Sequence, residues 1–107
     1  MGIAELTIEW IRERARSGNY LITLHADSER RSDGIELDDL IEALGTGVIL
    51  EDYPDDPRGH SCLVFGKTGG KDIHVVCGRR YDRLAIITVY VPKPPQWPAP
   101  DTRRKIS

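Results

Sequence analysis

Ser61-Cys62-Leu63-Val64-Phe65-Gly66, then Lys67-Thr68-Gly69-Gly70-Lys71, then Asp72-Ile73-His74-Val75-Val76-Cys77-Gly78: this stretch decides the fold. Two apolar runs flank a loop with paired glycines, which is the pattern of a β-hairpin. After the short connection Arg79–Arg83 comes Leu84–Val91, the longest and most apolar run, expected to lie centrally in a sheet. Upstream, Val48–Tyr53 reads as another strand, and Pro54-Asp55-Asp56-Pro57-Arg58-Gly59 is a turn by composition.

Before residue 48 the period changes from 2 to 3.6. Residues 36–44 place Leu37, Leu40, Ile41 and Leu44 on one helical face, with Asp38 and Asp39 in the first turn, where the helix dipole favours acids. Residues 3–17 form a second amphipathic pattern, through Ile3, Leu6, Trp10 and Ile11, and stop at Gly18-Asn19. Residues 20–25 read as a short strand ending on His25. The charged stretch Ala26–Asp33 reads as a helical turn or short helix, broken by Gly34. The expected fold is therefore α+β, with N-terminal helices packed on one face of a three- to four-stranded antiparallel sheet. Residues 1–94 make one domain, and 95–107 a Pro-rich, basic tail with Arg103, Arg104 and Lys105, which Trp97 pins to the body.

The chain has 107 residues and a net charge of −2, so it lacks the overall basic excess usual in nucleic-acid binders and allows only a local basic stripe. Its two cysteines, Cys62 and Cys77, lie far apart in apolar runs and read as buried, reduced thiols; a disulfide or redox pair remains open at this level. Nothing approaches the roughly 20 apolar residues that span a bilayer, and the start has no basic leader region, so the expected location is the cytoplasm. No phosphate loop, zinc spacing or nucleophile elbow is present, and no cofactor or metal is expected.

The candidate residues follow from position and chemistry. His25 at a strand end could act as acid or base near neutral pH, or simply cap the next turn. Arg30 and Arg31 could hold a phosphate or carboxylate if that segment is helical, or pair with Asp27, Glu29 and Asp33 on a solvated face. Pairing Gly66 with Asp72 sets Val64 opposite His74 and Cys62 opposite Val76; the next hairpin then brings Val76 near Ile86, His74 near Thr88 and Asp72 near Tyr90. One face then carries Leu63, Phe65, Ile73, Val75, Cys77, Ala85, Ile87 and Val89 as the core. The other carries His74, Thr88 and Tyr90 as a possible ligand face. Asp55, Asp56 and Arg58 are explained by turn chemistry, with substrate orientation as the alternative, and His60 is expected to be exposed. Arg79, Arg80, Arg83 and Lys93 form an expected basic rim.

The segments Ile22-Thr23-Leu24-His25-Ala26, Val48-Ile49-Leu50-Glu51-Asp52-Tyr53-Pro54-Asp55-Asp56, Cys62–Gly66, Ile73–Val76 and Ile86–Pro92, with Trp97 and the tail arginines, resemble the bacterial domain-of-unknown-function family 4258. Members often look like the toxin half of a toxin–antitoxin pair, and the fold is similar to RelE and BrnT ribonuclease toxins. The resemblance implies a metal-independent endoribonuclease, with an antitoxin protein and RNA as partners. In it His25 or His74 is the base, Arg30 or Arg31 steadies the phosphate, Tyr90 positions it or assists proton transfer, and Arg58, Arg79, Arg80, Thr88 and Lys93 bind substrate. Many members carry arginines where this chain has Glu29 and Asp33. That departure keeps a second reading open, a non-catalytic protein-interaction module. A third is a small-molecule or metal site built from His25, His74 and Asp55.

Overall fold

The computed structural model describes residues 6–103. The first helix, α1 (Ile8–Ser17), begins after Thr7, whose hydroxyl accepts the Trp10 N–H at 3.1 Å, and ends on Gly18 at φ +78°. The expected helix over 3–17 is thus shorter. Leu6 and Thr7 precede it, and residues 3–5 lie outside the described residues.

Strand β1 is only Tyr20–Ile22. The expected strand over 20–25 stops there because the Thr23 hydroxyl accepts the Ala26 N–H at 3.0 Å and starts α2 (Leu24–Ser32). A Thr cap with Asp27 in the first turn outweighs the strand preference of Leu-Ile-Thr-Leu. His25 is therefore a helix residue. Helix α3 (Leu37–Thr46) follows, with the Asp39 carboxylate accepting the Glu36 N–H at 3.1 Å.

Strands β2 (Val48–Tyr53), β3 (Ser61–Thr68), β4 (Lys71–Arg80) and β5 (Arg83–Tyr90) complete a five-stranded sheet in the order β1-β5-β4-β3-β2. This corrects the expected three- to four-stranded antiparallel sheet: β1 adds a fifth strand, parallel to β5, with Tyr20 opposite Leu84 and Ile22 opposite Ile86. It also makes β4 the central strand instead of β5. A three-residue strand whose partner lies more than sixty residues along the chain leaves no local pattern to read.

The β3–β4 register also differs by one residue from the expected one. The turn uses only Gly69 and Gly70, both at positive φ (+53° and +80°), so the strands run on to Thr68 and Lys71. His74 therefore faces Phe65 instead of Val64, and Cys62 faces Cys77 instead of Val76. One residue of slip exchanges the faces of β3. Cys62 and Val64 enter the core with Ile73, Val75 and Cys77, whereas Leu63 and Phe65 join His74. Across β4–β5, His74 pairs with Tyr90 and Val76 with Thr88; beyond them Ile87 is an extra residue in β5, which turns Leu84 and Ile86 into the core and Ala85 out of it. His74, Thr88 and Tyr90 do share one face, because a two-residue slip preserves facing.

Ile11, Ala15, Ala26, Ile35, Leu40, Ala43 and Leu44 from the helical layer cover the core face of the sheet. Both cysteines are buried there as free thiols, and hydrogen bonding to Cys62 together with burial holds the Cys77 thiol well above its ordinary range. Helix α3 approaches β3 so closely that a β-carbon on Gly66 would collide with the Ala43 backbone. Gly66→Ala should therefore destabilise the fold by about 1–3 kcal/mol through forced separation of α3 from β3. A urea midpoint equal to that of the wild type would show that α3 does not need this approach.

Candidate functional site

Because β1 is so short, the outer edge of β5 is left without a strand partner after Ile86. Helix α2 fills that gap. The Thr23 N–H donates to the Ile86 carbonyl at 3.1 Å and the Thr23 hydroxyl to the Ile87 carbonyl at 3.2 Å. The Glu29 carboxylate then accepts the Val89 N–H at 3.1 Å, and the Asp33 carboxylate the Val91 N–H at 2.9 Å. The two periods match: four helix residues rise about 6 Å and two strand residues about 6.8 Å. Acids one helical turn apart can thus satisfy alternate amides of a strand edge.

His25 sits one turn before Glu29, with Nε2 3.2 Å from Glu29 Oε1, and its side chain is 68% exposed. The same Oε1 accepts the Val89 N–H, so one carboxylate oxygen lies beside both the imidazole and the strand. Nδ1 of His25 has no hydrogen-bond partner among the described residues. Arg30 and Arg31 do not join it. Both bond to Asp27, Arg30 at 2.8 Å and Arg31 at 3.1 Å, and Arg30 also donates to the Ile35 carbonyl. They line a depression with Gly34, Ile35 and Glu36.

His74 lies on the opposite face of the sheet and is fully buried. The segment 93–103 folds back over it. Trp97, itself buried, packs edge-on against the imidazole with ring centres 4.4 Å apart. His74 Nε2 donates to the Pro100 carbonyl at 2.6 Å, which leaves Nδ1 to accept from the Tyr90 hydroxyl at 3.1 Å. Beyond Trp97, Arg103 stacks on the indole at 4.6 Å and grips both oxygens of Glu51 on β2, at 2.8 and 2.7 Å. Tyr53 donates to the same carboxylate. Arg103 holds Glu51 below the usual carboxylate range, while burial and the bond to Glu51 push Tyr53 up to about 12. Burial lowers the pKa of His74 and raises that of Tyr90. His74 is thus a neutral, doubly bonded side chain beneath a strap, and both of its nitrogens are engaged.

The remaining candidates divide. Tyr90 and Lys93 line a groove with Val91, Gln96 and Trp97, and Thr88 is half-buried on the same face as His74. Arg79 and Arg80 end β4 beside the start of β5, roughly 24 Å along that strand from Tyr90, whereas Lys93 follows its other end, so the expected basic rim is not one feature. Arg58 closes its own turn onto Asp56, whose carboxylate also accepts from Ser61; the Arg58 amide and Ser61 hold Asp56 down at about 2. His60 is half-buried and bonds Asp52 at 2.6 Å, and Arg104 and Lys105 lie outside the described residues. Among the described residues no three His, Cys, Asp or Glu side chains gather as a metal site, so His25, His74 and Asp55 do not form one. No helix among them is long and apolar enough to cross a membrane.

A family model, Domain of unknown function (DUF4258), matches residues 22–91. The chain belongs to this family. The DUF4258 match takes in α2, α3 and strands β2 to β5, with His25, His74 and Tyr90, and ends before the strap. No curated protein and no solved structure matches the chain. Sequence reasoning missed the roles of Glu29 and Asp33 because charged residues on a short helix read as a solvated face. It missed the Glu51–Arg103 clamp because the partners are 52 positions apart.

The buried His74 makes stability depend on pH. Its folded pKa lies below the ordinary value of 6.5, so below that value the unfolded chain binds the extra proton. Stability should be fully present above about pH 6.5 and fall as pH drops below it. His74→Gln keeps an N–H for Pro100 and cannot titrate, so its stability should fall less between pH 6.5 and 5 in denaturant titrations. Parallel slopes for the two proteins would show that His74 does not take up the proton.

Proposed function

We propose that this chain is a RelE/BrnT-like toxin, the endoribonuclease half of a toxin–antitoxin pair, working without a metal in the cytoplasm with His25 as its base. The observation that carries this reading is the exposed His25 with its Nε2 3.2 Å from Glu29, which is itself anchored on the Val89 amide. A carboxylate behind an imidazole fixes its tautomer and favours the protonated form it takes when acting as a base. His25 Nδ1 removes the proton of an RNA 2′-hydroxyl, the oxygen attacks the adjacent phosphorus, and the 5′-oxygen leaves, taking a proton from solvent. Arg31, largely exposed, is the nearby cation that the phosphate meets. His74 and Tyr90 serve this reading as the seat of the strap and make no contact with RNA while it is closed.

A second reading, a non-catalytic module that binds the antitoxin-like partner alone, draws on the pairing of both α2 arginines to Asp27 and on the acids at 29 and 33. The readings separate in one assay. Purified wild type should cleave single-stranded RNA to products with 2′,3′-cyclic phosphate ends in the presence of a chelator. His25→Ala should be slower by about 10²–10⁴-fold, and its expression in cells should be harmless where the wild type slows growth. Intact RNA with the wild type, or equal cleavage by His25→Ala, would leave only the binding module.

A further inference from the structure

The turn joining β4 to β5 holds Tyr81, which is 97% exposed. Tyr81 is also the only non-glycine with positive φ among the described residues, at +57°. Arg80 pairs with Arg83 across the hairpin, so Tyr81 and Asp82 make the turn, and Tyr81 occupies the position where a turn of this kind favours glycine. A β-carbon is unfavourable there, and the ring packs on nothing that would compensate. Its place in the fold is not explained by folding.

The surroundings are cationic. Arg79 and, from α1, Arg14 lie against the Trp10 ring at 4.6 and 5.0 Å. The acids paired with them are Glu13, which meets Arg14, and Asp82, which meets Arg14 at 2.8 Å and Arg79 at 3.7 Å. Arg80 and Arg83 make no ion pair among the described residues; Arg80 donates to the Arg79 carbonyl and Arg83 to the Tyr20 carbonyl. Each keeps further N–H donors for a ligand. On a chain of net charge −2, one end therefore presents four guanidiniums against two carboxylates, with a bare aromatic ring on the same hairpin.

We propose that this hairpin tip docks single-stranded RNA, with Tyr81 stacking on an unpaired base and Arg80 and Arg83 holding the flanking phosphates. Stacking of bases on aromatic rings beside a positive surface is how single strands are bound without sequence preference. A duplex keeps its base faces stacked inside and offers none to a protruding ring. The proposal rests on the reading of the chain as acting on RNA and adds where the strand is held. Thr23, two residues before His25, is bonded at Ile87, four residues along β5 from Arg83, or about 14 Å. One strand can lie across the tip and reach His25.

Fluorescence anisotropy with a labelled 2′-O-methyl single strand tests this, because that strand binds but has no 2′-hydroxyl to react. Tyr81→Ala should weaken binding about 5- to 100-fold, and Arg80→Ala should lower the slope of log affinity against log salt by about 0.7. Tyr81→Gly should weaken binding equally while raising the Tm, because glycine removes the backbone strain. Wild-type affinity in the three variants, or equal affinity of the wild type for a duplex of the same length, would overturn the proposal. So would loss of an acidic protein partner, with RNA binding intact, in the tip variants. A wild type that binds the strand but leaves ordinary RNA uncut would keep the tip and remove the nuclease. One that cuts RNA while the tip variants bind normally would do the reverse.

Discussion

The edge of β5 is the constraint on which the rest of the arrangement turns. A three-residue β1 pairs with only three of the eight residues of β5, and an uncovered edge offers its amides and carbonyls to other chains. Helix α2 closes the gap with two carboxylates whose helical spacing matches alternate strand amides. That closure orients α2, and α2 in turn places His25 outward and Ala26 inward. Glu29 thus links an edge-sealing role to the imidazole it holds. Glu29 and Asp33 have a structural reason to be acidic in this chain.

The two faces of the sheet are closed by different means. The core face is covered by helices and is largely apolar, with Thr68 at its end bonded to Glu42 of α3. The other face is closed at its His74 end by the irregular segment 93–103, held by one stacked indole, one carbonyl and one bidentate ion pair. Such a strap buries little besides Trp97, so its hold depends on a few polar contacts, each sensitive to charge. A face that looks open from the strands alone is in this way shut by the chain itself, and the histidine beneath it is satisfied on both nitrogens.

Much of the fold was legible. Helix α3, the hairpin β3–β4 and strand β5 follow from apolar periodicity, since burial of one face imposes the period of the element. The burial of Cys62 and Cys77 followed from their apolar neighbours. The register of β3 was not legible, because Lys67-Thr68-Gly69-Gly70-Lys71 can form a five- or a two-residue loop, and only the left-handed conformation of both glycines selects the shorter one. The end of β1 at Ile22 was hidden because Leu-Ile-Thr-Leu suits a strand and a Thr-capped helix alike.

For the candidate site, the sequence by itself determined the chemical inventory: a histidine in a charged segment, a second histidine and a tyrosine sharing a sheet face, clustered arginines, and a Pro-rich tail bearing Trp97. Only the tertiary structure decided their states. It left His25 exposed on α2, tied Arg30 and Arg31 to Asp27, and buried His74 under a strap. It also left Tyr81 bare on a strained turn. The physical reason is common to all of these. Exposure, pairing and protonation depend on which groups approach across the fold, and partners such as Glu51 and Arg103, or Glu29 and Val89, meet only when the sheet is assembled.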